Sequence, residues 1–294
     1  MSHLNSIAGV RQASGEGGLP CILVETELAT AQIYTHGAHV AQFQPRGHAA
    51  VLWMSTHSAF TADKPLRGGV PICFPWFGPR ADDASSPAHG FARLREWQLA
   101  ATEQNEAGDV TLRFALAADA ETLALWPHRF ACEYSVSVGA ALELSLRVTN
   151  TDNHAWTFEE ALHTYFVARD VRQVSISGLA STRYIDKADE SREKEQSGDI
   201  TFTGETDRAY LDTSADCILT DPQLARRIRV SKQGSQTTVV WNPWTKKAAA
   251  MPDFGDDEWP QMLCIETANA LRNAVTLQAG DSHTMQARLE VLSL

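Results

Sequence analysis

Apolar and polar residues alternate with a period of two through much of the chain. Val110–Leu116 alternates, as does Phe130–Val138, and Leu142–Val148 follows across Gly139-Ala140. Successive side chains on a strand point to opposite faces, so each run offers one apolar and one polar face. The last two runs, separated by a short glycine-containing link, predict a hairpin. Further strands are predicted at Ile228–Val230 and Thr237–Trp241, joined through Lys232-Gln233-Gly234-Ser235, and near the end of the chain at Val275–Gln278 and Met285–Val291. One packed and one solvated face is what antiparallel sheets require. Helical pattern is scarce. Asp119–Leu125 predicts one short helix with Asp119 as its N-cap, stopped by Trp126-Pro127 because a residue before proline avoids the α region. The charged, Gly-poor stretch Ala188–Gln196 predicts a solvated turn or loop. With no repeat of roughly 20–50 residues and no Pro/Ser-rich linker to divide it, the chain reads as all-β, a large antiparallel β-sandwich in a single domain over residues 1–294.

One tract breaks the alternation. Arg67-Gly-Gly-Val-Pro-Ile-Cys-Phe-Pro-Trp-Phe-Gly-Pro-Arg80 holds three prolines, three glycines and three aromatics, and His89-Gly90-Phe91-Ala92-Arg93 follows soon after. Proline removes a backbone donor and glycine weakens any ladder it interrupts, so neither a regular helix nor a central strand fits. The expectation is a shaped wall with arginines at its ends. A guanidinium is a fixed fork of donors suited to phosphate or carboxylate, which points to a small anionic ligand.

The formal net charge of -11 makes that local cluster, Arg67, Arg80, Arg93 and Arg95, stand out. The same charge argues against nucleic acid or an anionic membrane as partner. Five scattered cysteines, odd in number and without a CxxC pair, read as reduced thiols. Met1–Ser6 has no leader-like basic and apolar regions, and no apolar run approaches the roughly 20 residues of a membrane helix. The expectation is a soluble, cytoplasmic protein. Without an amphipathic or coiled-coil helix it reads as a monomer.

Four residues are acid/base candidates: His89, His163, Asp207 and Glu266. Glu266 lies among apolar and small neighbours in Met262–Asn269. Partial burial would raise its pKa and make it a base near neutrality, although an outward strand position is equally compatible with the alternation. His163, on strand alternation, shares a face with Ala161 and Tyr165, either as a hydrogen-bonded core residue or as an acid lining a pocket. His36 and His39 flank Gly37 on opposite faces of a predicted strand, with no metal-ligand pattern to support them. Adjacent Glu159 and Glu160 likewise face opposite sides and make a poor glycosidase pair. Trp241-Asn242-Pro243-Trp244 reads as an aromatic turn, either stacking on a sugar ring or plugging one end of the sandwich.

Taken in order, Arg67-Gly68-Gly69-Val70-Pro71, Phe74–Gly78, His89–Arg93, Ala161–Phe166, Asp207-Arg208, Trp241-Asn242-Pro243 and Cys264-Ile265-Glu266 resemble the hexose-6-phosphate mutarotases. These are a branch of the aldose 1-epimerase (galactose mutarotase-like) superfamily. The resemblance implies a galactose mutarotase-like sandwich with its site on the concave face of the larger sheet. It implies interconversion of the α and β anomers of a hexose 6-phosphate, with no metal and no organic cofactor. Glu266 would be the base and His163 the acid; Arg67 and Arg93 would hold the phosphate; His89 and Asp207 would contact sugar hydroxyls or the ring oxygen. Three other readings remain: an epimerase of unphosphorylated sugars with structural arginines, a noncatalytic sugar-phosphate-binding protein, and a hydrolase or lyase of related fold.

Overall fold

Sequence alternation becomes register. In the computed structural model, which describes residues 7–80 and 82–294, Phe130–Val138 and Ala141–Asn150 pair antiparallel with Val138 opposite Leu142. Phe130, Cys132, Tyr134 and Val136 are buried with Leu142, Leu144, Leu146 and Val148, while Glu133, Glu143 and Arg147 face water. Burying one such side chain contributes ~1.5–3 kcal/mol. A one-residue slip would turn the whole apolar row to solvent, so this register is strongly specified.

Two eight-stranded antiparallel sheets share one hydrophobic core. One runs in spatial order Ser175–Ser177, Cys217–Asp221, Arg226–Gln233, Ser282–Ser293, Ala141–Asn150, Phe130–Val138, Val110–Ala117 and Gln98–Gln104. The other runs Arg192–Glu195, Arg183–Asp186, Thr206–Leu211, Thr237–Asn242, Met262–Asn269, Glu160–Leu162 and Ile72–Cys73, with Tyr165–Val167 as a further partner of Met262–Asn269. The two have equal strand numbers, so neither is the larger sheet that the resemblance led one to expect. A four-stranded sheet spans Val10 to Pro45, and Trp156–Phe158 pairs with Val275–Leu277.

The predicted helix is present as Ala120–Leu125, with Asp119 accepting from the Thr122 N–H as its cap. A second helix, Trp244–Ala249, was not visible in the alternation. The predicted loop at Ala188–Gln196 is partly a strand, Arg192–Glu195, at the edge of its sheet. Cross-strand ion pairs, Arg183 to Glu193 at 3.0 Å and Lys194 to Asp186 at 2.8 Å, take the place of an apolar face there. An edge strand held that way carries no alternation to read. Among the described residues no helix is long and apolar enough to cross a membrane. All five cysteines are free and buried.

The Arg67–Arg80 tract contributes only the two-residue strand Ile72–Cys73, at a sheet edge, as its prolines dictate. Phe74 plugs the core beside it, its ring centroid 5.1 Å from that of Phe130 and 5.5 Å from that of Phe158. Gly90 lies against this plug with φ +74°, and a Cβ on it would sit 2.0 Å from the Phe74 carbonyl oxygen. Gly90→Ala must therefore displace the loop that carries His89 and Arg93. Strain of ~1–3 kcal/mol predicts a Tm lower by on the order of 5 °C together with a raised KM. A thermal melt and a substrate titration check this; an unchanged Tm and KM would contradict it.

Candidate active site

The strand Met262–Asn269 is buried on both faces. Leu263 and Ile265 join the main core, whereas Ala268 packs in a cluster of mostly small residues with Cys73, Ala161, Ala209 and Val239. Glu266 alternates onto the face of Ala268, and Val239 lies opposite it on the neighbouring strand. Only 1% of Glu266 is exposed. The outward-facing reading of this residue is thereby excluded.

A break in strand pairing aims the histidine at it. Glu160–Leu162 pairs with Thr267–Asn269, and Tyr165–Val167 pairs with Met262–Cys264. Between them, Thr164 donates its N–H to Leu162 O at 2.8 Å, a three-residue turn centred on His163. His163 is thus carried directly opposite Ile265 and Glu266, and its Nε2 lies 3.3 Å from Glu266 Oε1. The imidazole stacks on Tyr165, 4.8 Å between ring centres, as the shared face predicts, and Trp241 stands edge-on at 6.0 Å. Glu266 Oε2 and His163 Nδ1 have no hydrogen-bond partner.

Burial, and then the nearby charge of Asp207, pushes Glu266 well above the usual carboxylate range, against the opposing pull of Lys187 and Arg93. Burial, and then Arg93 and Arg67, pushes His163 well below the usual imidazole range. Opposite shifts in two touching groups bring their proton affinities together, the arrangement that acid/base exchange between them needs.

His89 follows Ala88 with φ 63°, a left-handed conformation rare outside glycine. The Gly78 N–H donates to its Nδ1 at 3.3 Å, which puts the ring proton on Nε2. Burial, and then Arg93, pushes its pKa well below the usual imidazole range. His89 lies 5.6 Å from His163 and 4.9 Å from Phe77, ring to ring. Asp207, on Thr206–Leu211, sits opposite Trp241 and pairs with Lys247 at 3.4 Å.

The four arginines close in sequence separate in space. Arg80 clamps Asp82 at 2.7 Å and Leu125 O at 2.6 Å, and Arg95 pairs with Asp119 and Glu121. Both are taken up by carboxylates, so the four guanidinium groups that lie close in sequence do not form one free cluster in space. Arg67 and Arg93 remain, close enough that both depress His163. Arg67 is already engaged by Asp253 at 3.0 Å and by the Tyr165 hydroxyl at 2.9 Å. Burial works against its charge, but Tyr165 and Asp253 outweigh burial and raise its pKa. Arg93 spends one N–H on Ala88 O at 2.8 Å, has no carboxylate partner among the described residues, and keeps a buried Nε–H unpaired.

Sequence reasoning missed Lys187. It follows the strand Arg183–Asp186, its N–H donates to Asp207 O at 2.8 Å, and its ammonium sits 4.6 Å from the Phe77 ring centre. The only available signal was its place one residue beyond a strand whose partner carries Asp207. Asp253 gave no signal at all.

Other candidates resolve as structural. Glu160 is buried against His283 at 3.1 Å and Asn269 at 2.8 Å, while Glu159 accepts from the N–H groups of Phe77 and Leu271. The two point apart, Glu159 lying in the break between Trp156–Phe158 and Glu160–Leu162. His36 and His39 do not share a strand, because a turn at Gly37, φ 72°, separates them. His36 bonds Lys64 O at 2.9 Å, and burial lowers His39 to about 3. Trp241 faces the site, whereas Trp244 packs on Trp259 at 4.2 Å. A concavity of about 510 Å³ on the other large sheet has Glu143, Asp216, Lys232 and Arg288 as its ionisable groups and no histidine. It holds no acid/base pair, so the side-chain chemistry, rather than the size of a hollow, locates the site.

An antiparallel sandwich with a buried carboxylate and imidazole in contact, walled by cations, has the fold and acid/base chemistry of an isomerase of the mutarotase class. Comparison with known proteins specifies it further. The chain belongs to the aldose 1-epimerase family, whose model matches residues 20–290. It is 36% identical over 272 residues to an Escherichia coli (strain K12) protein named "Putative glucose-6-phosphate 1-epimerase", covering 92% of this chain and 90% of that one. A Salmonella typhimurium crystal structure, described as a "putative mutarotase (YeaD)", superposes with a TM-score of 0.92 at 32% identity, over 99% of this chain and 96% of that one. A galactose mutarotase-like protein of Clostridium acetobutylicum shares the fold at a TM-score of 0.74 and 12% identity, over 97% of this chain and 98% of that one.

Proposed function

We propose that this protein interconverts the α and β anomers of a hexose 6-phosphate, glucose 6-phosphate in the first instance, by ring opening and reclosure. The observation that carries the reading is the contact between Glu266 and His163 beside an arginine, Arg93, that lacks an anionic partner. The names of the similar proteins agree with it.

In this reading the Glu266 carboxylate takes the proton of the anomeric hydroxyl. The C1–O1 bond becomes a carbonyl, the C1–O5 bond breaks, and its electron pair on O5 takes a proton from His163. Rotation about C1–C2 by half a turn presents the other carbonyl face, and reclosure returns both protons. No electron or group is left over, so the residues suffice. Arg93 and Arg67 hold the phosphate, with Lys187 adding positive charge. The phosphate dianion would offset the arginine charge that depresses His163, moving the shared proton towards the imidazole as substrate binds. His89, through its Nε2–H, and Asp207 contact the sugar oxygens. The substrate is a small molecule, and monomeric, cytoplasmic action completes the proposal.

The shared proton sets the pH dependence. At low pH His163 takes a second proton and the pair has no base; at high pH Glu266 has lost its proton and the pair has no acid. The acid limb falls below 6.5 because His163 is lowered from that value, and the alkaline limb falls above 4.5 because Glu266 is raised from it. A bell-shaped kcat/KM profile is expected, measured with the uncatalysed rate subtracted. A profile with a single limb would contradict the shared-proton pair.

The direct test is exchange NMR of the anomeric protons of glucose 6-phosphate and of free glucose, with and without enzyme. Faster exchange for the phosphate ester is the expected result. One observation favours a second reading, an epimerase of free sugars: the Arg67–Asp253 pair leaves one arginine neutralised before any ligand arrives. Equal acceleration of both sugars would select that reading.

A further inference from the structure

Cys264 stands two residues before Glu266 on the same strand face and takes no part in the chemistry above. A donor atom from each of His163, Cys264 and Glu266 lies within 4.8 Å of the other two, and all three residues are buried. We infer that this triplet is an inhibitory site for a soft divalent cation such as Zn²⁺ or Cd²⁺, bound in competition with the sugar.

Three observations support it. The donors are imidazole nitrogen, thiolate sulfur and carboxylate oxygen, the set that zinc takes, whereas Mg²⁺ and Ca²⁺ demand oxygen-rich shells. His163 Nε2 and Glu266 Oε1 are 3.3 Å apart, the edge of a tetrahedron with metal–ligand bonds of roughly 2.0–2.1 Å. Glu266 Oε2, on a side chain 1% exposed, has no partner among the described residues and is free to join Oε1 on the ion.

Charge also permits it. Arg93, Arg67 and Lys187 would repel an uncompensated dication, with Asp207 opposing them. Binding releases the Cys264 proton, and any proton on Glu266, to solvent. Thiolate and carboxylate then cancel the charge of the metal, so the occupied site is neutral. Occupation removes both the base and the acid, so inhibition follows directly. This consequence rests on the proposed roles of Glu266 and His163; binding itself does not.

The test is titration of the whole chain with Cd²⁺, read by the ultraviolet thiolate-to-metal charge-transfer band, beside inhibition of anomer exchange by Zn²⁺. One Cd²⁺ per chain is expected, reversed by chelator and displaced by glucose 6-phosphate. Cys264→Ser should lose the band, retain exchange, and resist Zn²⁺ by ~10–100-fold or more, since even partners outside the coordination shell change metal affinity that much. Cys264→Ala serves as a second variant, with thermal melts confirming that each is folded. Cys132→Ser, altered in the remote core, should keep the band. Absence of the band in the unaltered chain, its persistence without Cys264, or undiminished Zn²⁺ inhibition of Cys264→Ser would overturn the inference. If no sugar is exchanged at all, the mutarotase reading fails, while the band and its dependence on Cys264 still decide the metal site.

Discussion

Glu266→Gln is expected to reduce kcat for anomer exchange by about two orders of magnitude or more, with the fold intact. The amide matches the carboxylate in shape but cannot accept and return the anomeric proton. Little else changes, because among the described residues His163 is the one ionic partner of Glu266 within 4 Å. The fold should even gain at alkaline pH. Glu266 has a folded pKa above its ordinary 4.5, so the folded chain binds that proton more tightly than the unfolded chain. The resulting stability is present below 4.5 and is lost as pH rises towards the folded value. Glutamine has no such dependence. The Tm of the variant should therefore equal or exceed that of the parent at pH 8, and the difference should shrink towards pH 5. Exchange NMR with melts at the two pH values makes both readings. A folded variant of near-normal turnover would remove Glu266 from its role.

Arg93→Ala is expected to raise KM for glucose 6-phosphate by roughly ten- to a hundredfold, the equivalent of the ~1.5–3 kcal/mol of a charge-assisted hydrogen bond. The effect on free glucose should be small. Arg67→Ala should also raise KM, but by less. Arg67 already shares its charge with Asp253 at 3.0 Å, so phosphate gains less from it. Arg93 has no such partner, and its unpaired Nε–H marks it as the uncompensated donor. Steady-state kinetics on both sugars with both variants checks the order. An equal loss on free and phosphorylated glucose would end the phosphate-clamp argument.

Much of the sandwich was legible because strand period and burial are local properties. Phe130–Val138 and Leu142–Val148 alternate cleanly, and their hairpin has the register that the alternation requires. Arg192–Glu195 escaped notice because ion pairs hold that edge strand, leaving no apolar face to read. In the site, Glu266 was visible as a carboxylate in an apolar run and His163 as a partner of Tyr165 on one face. Arg80 and Arg95 were grouped with Arg67 and Arg93 only in sequence, because closeness along the chain says nothing about which carboxylate each guanidinium will find.

By itself, then, the sequence determined the antiparallel class, the position of its hairpin and short helix, the irregular wall from Arg67 to Arg80, and the residue types able to move a proton. Those follow from side-chain period and from the backbone limits of proline and glycine, which act over a few residues. Only the tertiary structure decided that a break in pairing turns His163 onto Glu266, that Asp253 neutralises Arg67, that Arg93 goes without an anion, and that Lys187 joins the wall. These facts depend on distance between groups up to 186 residues apart and on shared burial. Burial and charge at such distances shift the two pKa values in opposite directions, and no local pattern encodes them.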